Sequence, residues 1–497
     1  MLIGYDLYIF AYQKTYNLIT ILIFMKILDG LSYDDVLVVP KYSEIKSRKD
    51  VSTKTKLTRN LSINIPIISA NMDSVTEKEM AIAMAENGGF GIIHRFMPIE
   101  KQVEQISYVK RAESFVIDKP YTLRTSHLLK DAKSLMLKYG SAGIVILDEN
   151  KKVAGILTKR DILFEKNIDK KIIDLMTPFN DLICGKEGMS MEEATELLKK
   201  NKIEKLPLID DDKNLKGLIT SKDILKRESH PLASKDKKGR FLVGGAIGVV
   251  GDYLERTEAL LNAGCDAICI DIAHGHSLNC VNAIKSIRKN FRDVELIAGN
   301  IATKQAAKDL LKYDVDALKV GVGPGSICIT RIITGSGFPQ LSAIMDVAKT
   351  SDVPIIADGG IKNSGDIVKA IAAGADSVMI GNLLAGTEES PGSSIIRQGR
   401  KFKLYRGSTS FLGTIDRKER ENGNINDEDV YSIVPEGVEG MVSHKGNLKE
   451  VLYQLFMGLK SGMSYCGAKS IDEIKNNVDF VKISSSGMRE SGSHDIS

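Results

Sequence analysis

Eight short apolar runs, each closed by glycine or polar residues, constrain this 497-residue chain more than any other feature. They span 65–69, 90–94, 241–246, 267–271, 295–298, 317–320, 354–357 and 377–380, and helical patterns follow at 77–86, 253–263, 304–312 and 364–373. Short runs without polar alternation describe strands buried on both faces, which is the environment of a parallel sheet with helical crossovers. Eight strand–helix units predict an α/β chain folded as a (β/α)₈ TIM barrel, with reactive residues on the loops that follow the strands. A doubly wound sheet is the alternative. It calls for a glycine fingerprint after the first strand, and residues 65–73 hold none.

The alternation breaks between the second and third runs, where the chain repeats itself. Gly143-Ile-Val-Ile-Leu-Asp148 leads to Gly155-Ile-Leu-Thr-Lys-Arg-Asp161, and Leu206-Pro-Leu-Ile-Asp210 leads to Gly217-Leu-Ile-Thr-Ser-Lys-Asp223. Gly155, Thr158 and Asp161 thus recur as Gly217, Thr220 and Asp223. Two such units bury a face against each other, so residues 116–228 read as one inserted domain with halves 116–176 and 177–228. The barrel is then built from 28–115 and 229–497, with a flap at about 400–440. The repeat resembles a tandem CBS (cystathionine β-synthase) pair, a module that often binds adenine nucleotides. The resemblance implies that Asp161 and Asp223 reach ribose hydroxyls. Helix caps after a strand explain Thr158 and Thr220 equally well.

Composition excludes several classes. A net charge of +4 on 68 basic and 64 acidic residues leaves no basic stripe for nucleic acid. The first 27 residues are apolar only in patches, broken by Asp6 and Lys14, and read as a dispensable extension rather than a leader or a membrane span. Six cysteines scattered without metal-type pairing fit a reducing cytoplasm.

The sixth run opens into Gly321-Val322-Gly323-Pro324-Gly325-Ser326-Ile327-Cys328. Glycines and a proline around one cysteine describe a loop that approaches a ligand closely and presents a nucleophile. A small buried hydrophobe is the other state of a free cysteine, but it belongs in regular elements. Asp358-Gly359-Gly360 follows the seventh run and Gly381-Asn382 the eighth, where barrel proteins commonly hold phosphate on exposed N–H groups. Tyr405-Arg406-Gly407 and the Ser326 hydroxyl extend this cradle. Asp271 ends the fourth run, where a carboxylate suits a ribose. With His274 and His276 it also invites a metal reading, for which no further ligand is evident.

These stretches, with 31–40, Asn71-Met-Asp-Ser-Val-Thr-Glu77, 386–392, Val434–Gly440, Glu490-Ser491 and His494, resemble the family of inosine monophosphate dehydrogenase and guanosine monophosphate reductase. The resemblance covers residues 28–497. It implies that Cys328 attacks C2 of inosine monophosphate, that hydride leaves to NAD+, and that water releases xanthosine monophosphate. It assigns Thr330 to the attacking water and Glu436 to the base and a proton relay. Ser326, Asp358, Gly359, Gly360, Gly381, Asn382, Tyr405 and Gly407 would hold the nucleotide. Asp271, Asn300, Gly321, Val322 and Gly323 would line the cofactor site. Carbonyls of Gly323, Gly325 and Cys328 resemble a potassium ion site completed by Glu490, Ser491 and Gly492 of a neighbour, which implies a homotetramer.

One departure bears on reaction type. The arginine–tyrosine pair that activates water in the dehydrogenase is absent between Phe411 and Pro435, where Arg417 and Arg420 precede no tyrosine. Asn382 also stands for a usual serine. The missing pair and the stretches 70–73 and 334–342 lean toward the reductase, which deaminates guanosine monophosphate with NADPH, whereas 434–440, 463–468 and 487–491 lean toward the dehydrogenase. A non-catalytic nucleotide binder is the third alternative, opposed by the intact Cys328, Thr330 and Glu436.

Overall fold

A computed structural model describes residues 27–112, 116–117, 120–222, 224, 230–415 and 430–492. The N-terminal extension up to residue 26, Asp223, Arg417, Arg420 and His494 lie outside the described residues. Eight parallel strands close into a barrel: β1 (Ile67–Ser69), β2 (Phe90–Ile93), β3 (Val243–Ile247), β4 (Ala267–Ile270), β5 (Leu296–Ile301), β6 (Ala317–Val320), β7 (Ile355–Asp358) and β8 (Ser377–Ile380). Each pairs with its sequence neighbour, and β8 returns to β1 through Val378 and Ile67. Nearly every strand residue is buried, which is why these segments carry no alternation. The surrounding helices turn one stripe inward, as Met80, Ala81, Met84 and Ala85 do on Lys78–Glu86.

The strands start in register through a recurring carboxylate. Asp266, Asp316 and Asp376 precede or begin the fourth, sixth and eighth staves. Their side chains accept the N–H groups of Val243, Leu296 and Ile355, each at 2.8 Å. Each aspartate also donates its own N–H to the carbonyl of the same residue. Lys110, Arg288 and Lys475 neutralise the three carboxylates. These three aspartates are therefore stability devices at the face opposite the reactive loops.

Between the helix Ile99–Ala112 and β3 the chain forms two further sheets. One holds Thr122–Arg124, Gly143–Leu147, Val153–Thr158 and Thr177–Pro178. The other holds Gly185–Lys186, Lys205–Ile209 and Leu215–Thr220. The repeat extends to detail, since both hairpins shift register, at Ile146/Leu147 and at Leu208/Ile209. Val145, Val153 and Ile156 of one half pack with Leu218 of the other. After β8, strands Ser394–Arg397, Arg400–Arg406 and Glu439–Ser443 form a small sheet that carries the start and end of the flap.

Candidate active site

The loops after β5 to β8 converge around Cys328. Its thiol lies 3.1 Å from the Thr330 hydroxyl, which in turn donates to Glu436 Oε2 at 2.7 Å. Backbone pairing holds this chain together. Ile329 N–H donates to Glu436 O at 2.8 Å and Val438 N–H to Ile327 O at 2.9 Å, so 436–438 lies alongside 327–329. A proton on the thiol has a continuous path through a hydroxyl to a carboxylate, which is what an activated cysteine needs.

The Asp358-Gly359-Gly360 turn lies against the cysteine loop: a Cβ on Gly359 would come within 2.9 Å of the Pro324 ring and 3.2 Å of Gly325 N. Gly359 and Gly360 both have left-handed φ, +98° and +83°, so a side chain would cost strain as well as space. Tyr405 is buried beside Ser326 and over Gly381, where a Cβ would meet its hydroxyl at 2.7 Å. Burial pushes its phenol up to about 12, against the opposing influence of Ser326, so it remains a neutral donor at physiological pH. Asn382 begins a four-residue helix capped by Gly381. Gly407 N–H donates to Val438 O at 3.1 Å and joins the flap's two ends. Tyr405→Phe is expected to raise KM for the nucleotide about fivefold with kcat little changed, the loss of one hydrogen bond of about 1 kcal/mol; steady-state kinetics checks it.

Asn300 enters through a bulge. Gly299 pairs with Lys319 and Ile301 with Val320, leaving Asn300 as the extra residue of β5. Bulges beside active sites re-aim side chains. The Asn300 amide donates to Gly321 O at 2.8 Å and to Asp358 Oδ2 at 2.9 Å. Lys319, almost wholly buried inside the barrel, bonds Asn300 Oδ1 and lies 3.0 Å from Asp358 Oδ2. Both bonds to the Asp358 carboxylate fall on Oδ2, which leaves Oδ1 for a ligand. Asp271 stands 3.4 Å from Arg95, at the end of β2.

Not every expected residue joins this cluster. His276 pairs with Asp309 at 3.1 Å, and among the described residues no three His, Cys, Asp or Glu side chains gather as metal ligands. Glu490 ends the helix Ser485–Glu490 and, with Ser491 and Gly492, is exposed. The Asp161 carboxylate accepts from the Thr158 N–H and hydroxyl, both at 2.7 Å, so it caps its own turn while lining a cavity of about 220 Å³ between the repeats. Sequence reasoning missed Arg95 and Lys319. Arg95 directly follows an apolar run, on the face where reactive loops gather, and that position was its available signal.

The family model for the IMP dehydrogenase / GMP reductase domain matches residues 30–494. The chain belongs to that family. Members most like it include the inosine-5'-monophosphate dehydrogenase of Nitrosopumilus maritimus, 52% identical over 476 residues that make up 95% of this chain and 99% of the relative. That of Aquifex aeolicus is 50% identical over 95% of this chain and 96% of its own. Among solved structures, a cysteine-to-alanine variant of GMP reductase from Trypanosoma brucei in complex with guanosine 5'-monophosphate superposes with a TM-score of 0.88. It is 42% identical, covering 95% of this chain and 99% of that one. The two dehydrogenases and the reductase each match about 95% of this chain, and the dehydrogenases are the nearer in sequence among these.

Proposed function

We propose that the chain oxidises inosine monophosphate to xanthosine monophosphate, with NAD+ as acceptor. The observation that carries this reading is the Cys328–Thr330–Glu436 hydrogen-bond chain beside glycine-rich loops. Identities of about 50% to dehydrogenases over nearly the whole chain support it. Cys328 loses its proton toward Thr330 and Glu436, and its sulfur bonds C2 of the purine. The C2 hydrogen leaves with its electron pair, for which bound NAD+ supplies the acceptor. Water then adds to C2 of the resulting thioimidate and the thiolate departs, so one water and one NAD+ are consumed and one proton is released. Ser326, Asp358, Gly359, Gly360, Gly381, Asn382, Tyr405 and Gly407 hold the nucleotide. Asp271, Asn300, Gly321, Val322 and Gly323 line the space for the nicotinamide ribose.

The carbonyls of Gly323, Gly325 and Cys328 are a donor set suited to a potassium ion. Glu490, Ser491 and Gly492, exposed here, would complete it from a neighbouring subunit of a homotetramer. Such an ion would hold the cysteine loop in shape. The inserted residues 116–228 are read as a tandem CBS pair binding adenine or guanine nucleotides in the cavity beside Asp161. Six cysteines scattered without metal-type pairing support a cytoplasmic enzyme; among the described residues no helix is long and apolar enough to cross a membrane.

The second reading, NADPH-dependent deamination of guanosine monophosphate, is favoured by the missing arginine–tyrosine pair and the TM-score of 0.88 to a reductase. One experiment separates them: NADH formation from inosine monophosphate, NAD+ and potassium, run beside NADPH loss with guanosine monophosphate. Sustained NADH formation that falls at least about tenfold when sodium replaces potassium is the expected result. NADPH consumption with guanosine monophosphate alone overturns the dehydrogenase reading.

A further inference from the structure

The ladder between β6 and β7 ends at Val320 and Ala357. Beyond it the strands part, one into Gly321 and the cysteine loop, the other into Asp358 and its glycine turn. Backbone pairing between these two strands therefore stops just short of both groups of ligand-facing residues. At that point stands Gln340, the first residue of the helix Gln340–Ala348, only 2% exposed. Its Nε2 donates to Val320 O at 2.8 Å and to Asp358 O at 3.2 Å. A primary amide carries two N–H groups, and here each serves the last carbonyl of a different strand. The orientation is forced, because turned over the amide would set Oε1 against two carbonyl oxygens.

The space allows little else. A Cβ on Gly321 would lie 2.1 Å from Asp358 O and 3.1 Å from Gln340 Nε2, so glycine, carbonyl and amide meet at one point. The support is also fixed from outside. Leu31 N–H donates to the Ser342 hydroxyl at 2.8 Å, and Ser342 N–H returns to Leu31 O at 3.1 Å, which holds the first turn of the helix in place.

We propose that Gln340 is a positioning residue for the reaction: its amide is a side-chain rung that sets the height of the cysteine loop against the Asp358 loop, and with it the approach of Cys328 to a nucleotide held by Asp358, Gly359 and Gly360. Gln340 touches no reacting atom. This rests on the reading of the site as one in which Cys328 attacks a purine nucleotide. Misplacement of a reacting group by an ångström lowers rates by about a hundredfold, so the effect belongs on the chemical step rather than on affinity.

Gln340→Met keeps length and removes both donors. In rapid-mixing experiments with inosine monophosphate and NAD+, the rate constant of the NADH burst is expected to fall at least about tenfold, while the dissociation constant of the nucleotide shifts less than about threefold. Gln340→Glu supplies a second reading should the methionine variant fail to fold. Its neutral carboxyl donates one hydrogen, whereas its ionised form faces two carbonyls, so its burst rate falls as pH rises relative to the unsubstituted enzyme. A Gln340→Met burst equal to that of the unsubstituted enzyme, or a Gln340→Glu profile that follows it, overturns the proposal. An unsubstituted protein with no burst on inosine monophosphate overturns the dehydrogenase reading instead. The rung is then judged by the same criteria on NADPH oxidation with guanosine monophosphate.

Discussion

Cys328→Ala abolishes turnover and leaves nucleotide binding in place. On the proposed reading the thiol bonds the purine carbon, and Thr330 and Glu436, hydrogen-bonded in line with it, act through it. Loss of a covalent nucleophile is expected to lower kcat roughly 10⁴-fold, about 5.4 kcal/mol in barrier height. On the proposed reading the nucleotide's ribose and phosphate are held by Ser326 and by residues from Asp358 to Tyr405 rather than by sulfur, so calorimetric affinity for inosine monophosphate should stay within about threefold. Residual turnover close to that of the unsubstituted enzyme would remove cysteine from the mechanism. Lost binding together with lost turnover would instead mean that the loop had collapsed.

The second large effect is on stability. Lys319 is 2% exposed and its ammonium lies 3.0 Å from Asp358 Oδ2. Burial by itself would lower its pKa. Asp358, with Cys269 and Asp271 behind it, outweighs burial and holds the group above the usual lysine range. A folded-state pKa above the unfolded value of about 10.4 gives a contribution fully present at neutral pH, lost only as pH rises through the folded value. Lys319→Met leaves Asp358 facing the barrel interior without its cation, at a cost of about 3 kcal/mol, the low end for a broken buried pair because Asp358 keeps some contact with solvent. Thermal denaturation should show a melting temperature lower by roughly 4 °C. The double variant Lys319→Met/Asp358→Asn should recover most of that loss but not the nucleotide affinity. An unchanged melting temperature in the single variant would show that the pair contributes nothing net.

The staves were legible because a parallel strand leaves a local mark, an unbroken apolar run, and the runs 317–320 and 377–380 became β6 and β8 residue for residue. β5 was not fully legible. Gly299 looked like the end of a strand, yet the strand passes through a bulge at Asn300 to Ile301. The cysteine loop and the paired glycines stood out for the same local reason, since a close backbone approach requires glycine within a few residues of the reacting group. Lys319, Arg95 and Gln340 left no such mark. Lys319 sits inside an apolar run and reads as an interruption of it. The importance of all three comes from partners far along the chain, such as Asp358, 39 residues beyond Lys319, which only closure of the barrel brings near.

The inserted sheets lengthen one closure of that barrel. Gly91 pairs with Val243, a separation of 152 residues, whereas Gly244 reaches Ala267 across 23. The entropy of joining chain ends grows only with the logarithm of the intervening length, so the longer connection costs under about 2 kcal/mol more than the shorter one. Lys110 closes its neck, bonding Asp236 at 3.0 Å and the Phe241 carbonyl at 2.8 Å from the far side of the insertion. A module threaded through such a neck can be lengthened, shortened or exchanged at small cost to the folding of its host. Its neck lies beside Asp266 at the start of the staves, so the length of the barrel separates it from Cys328.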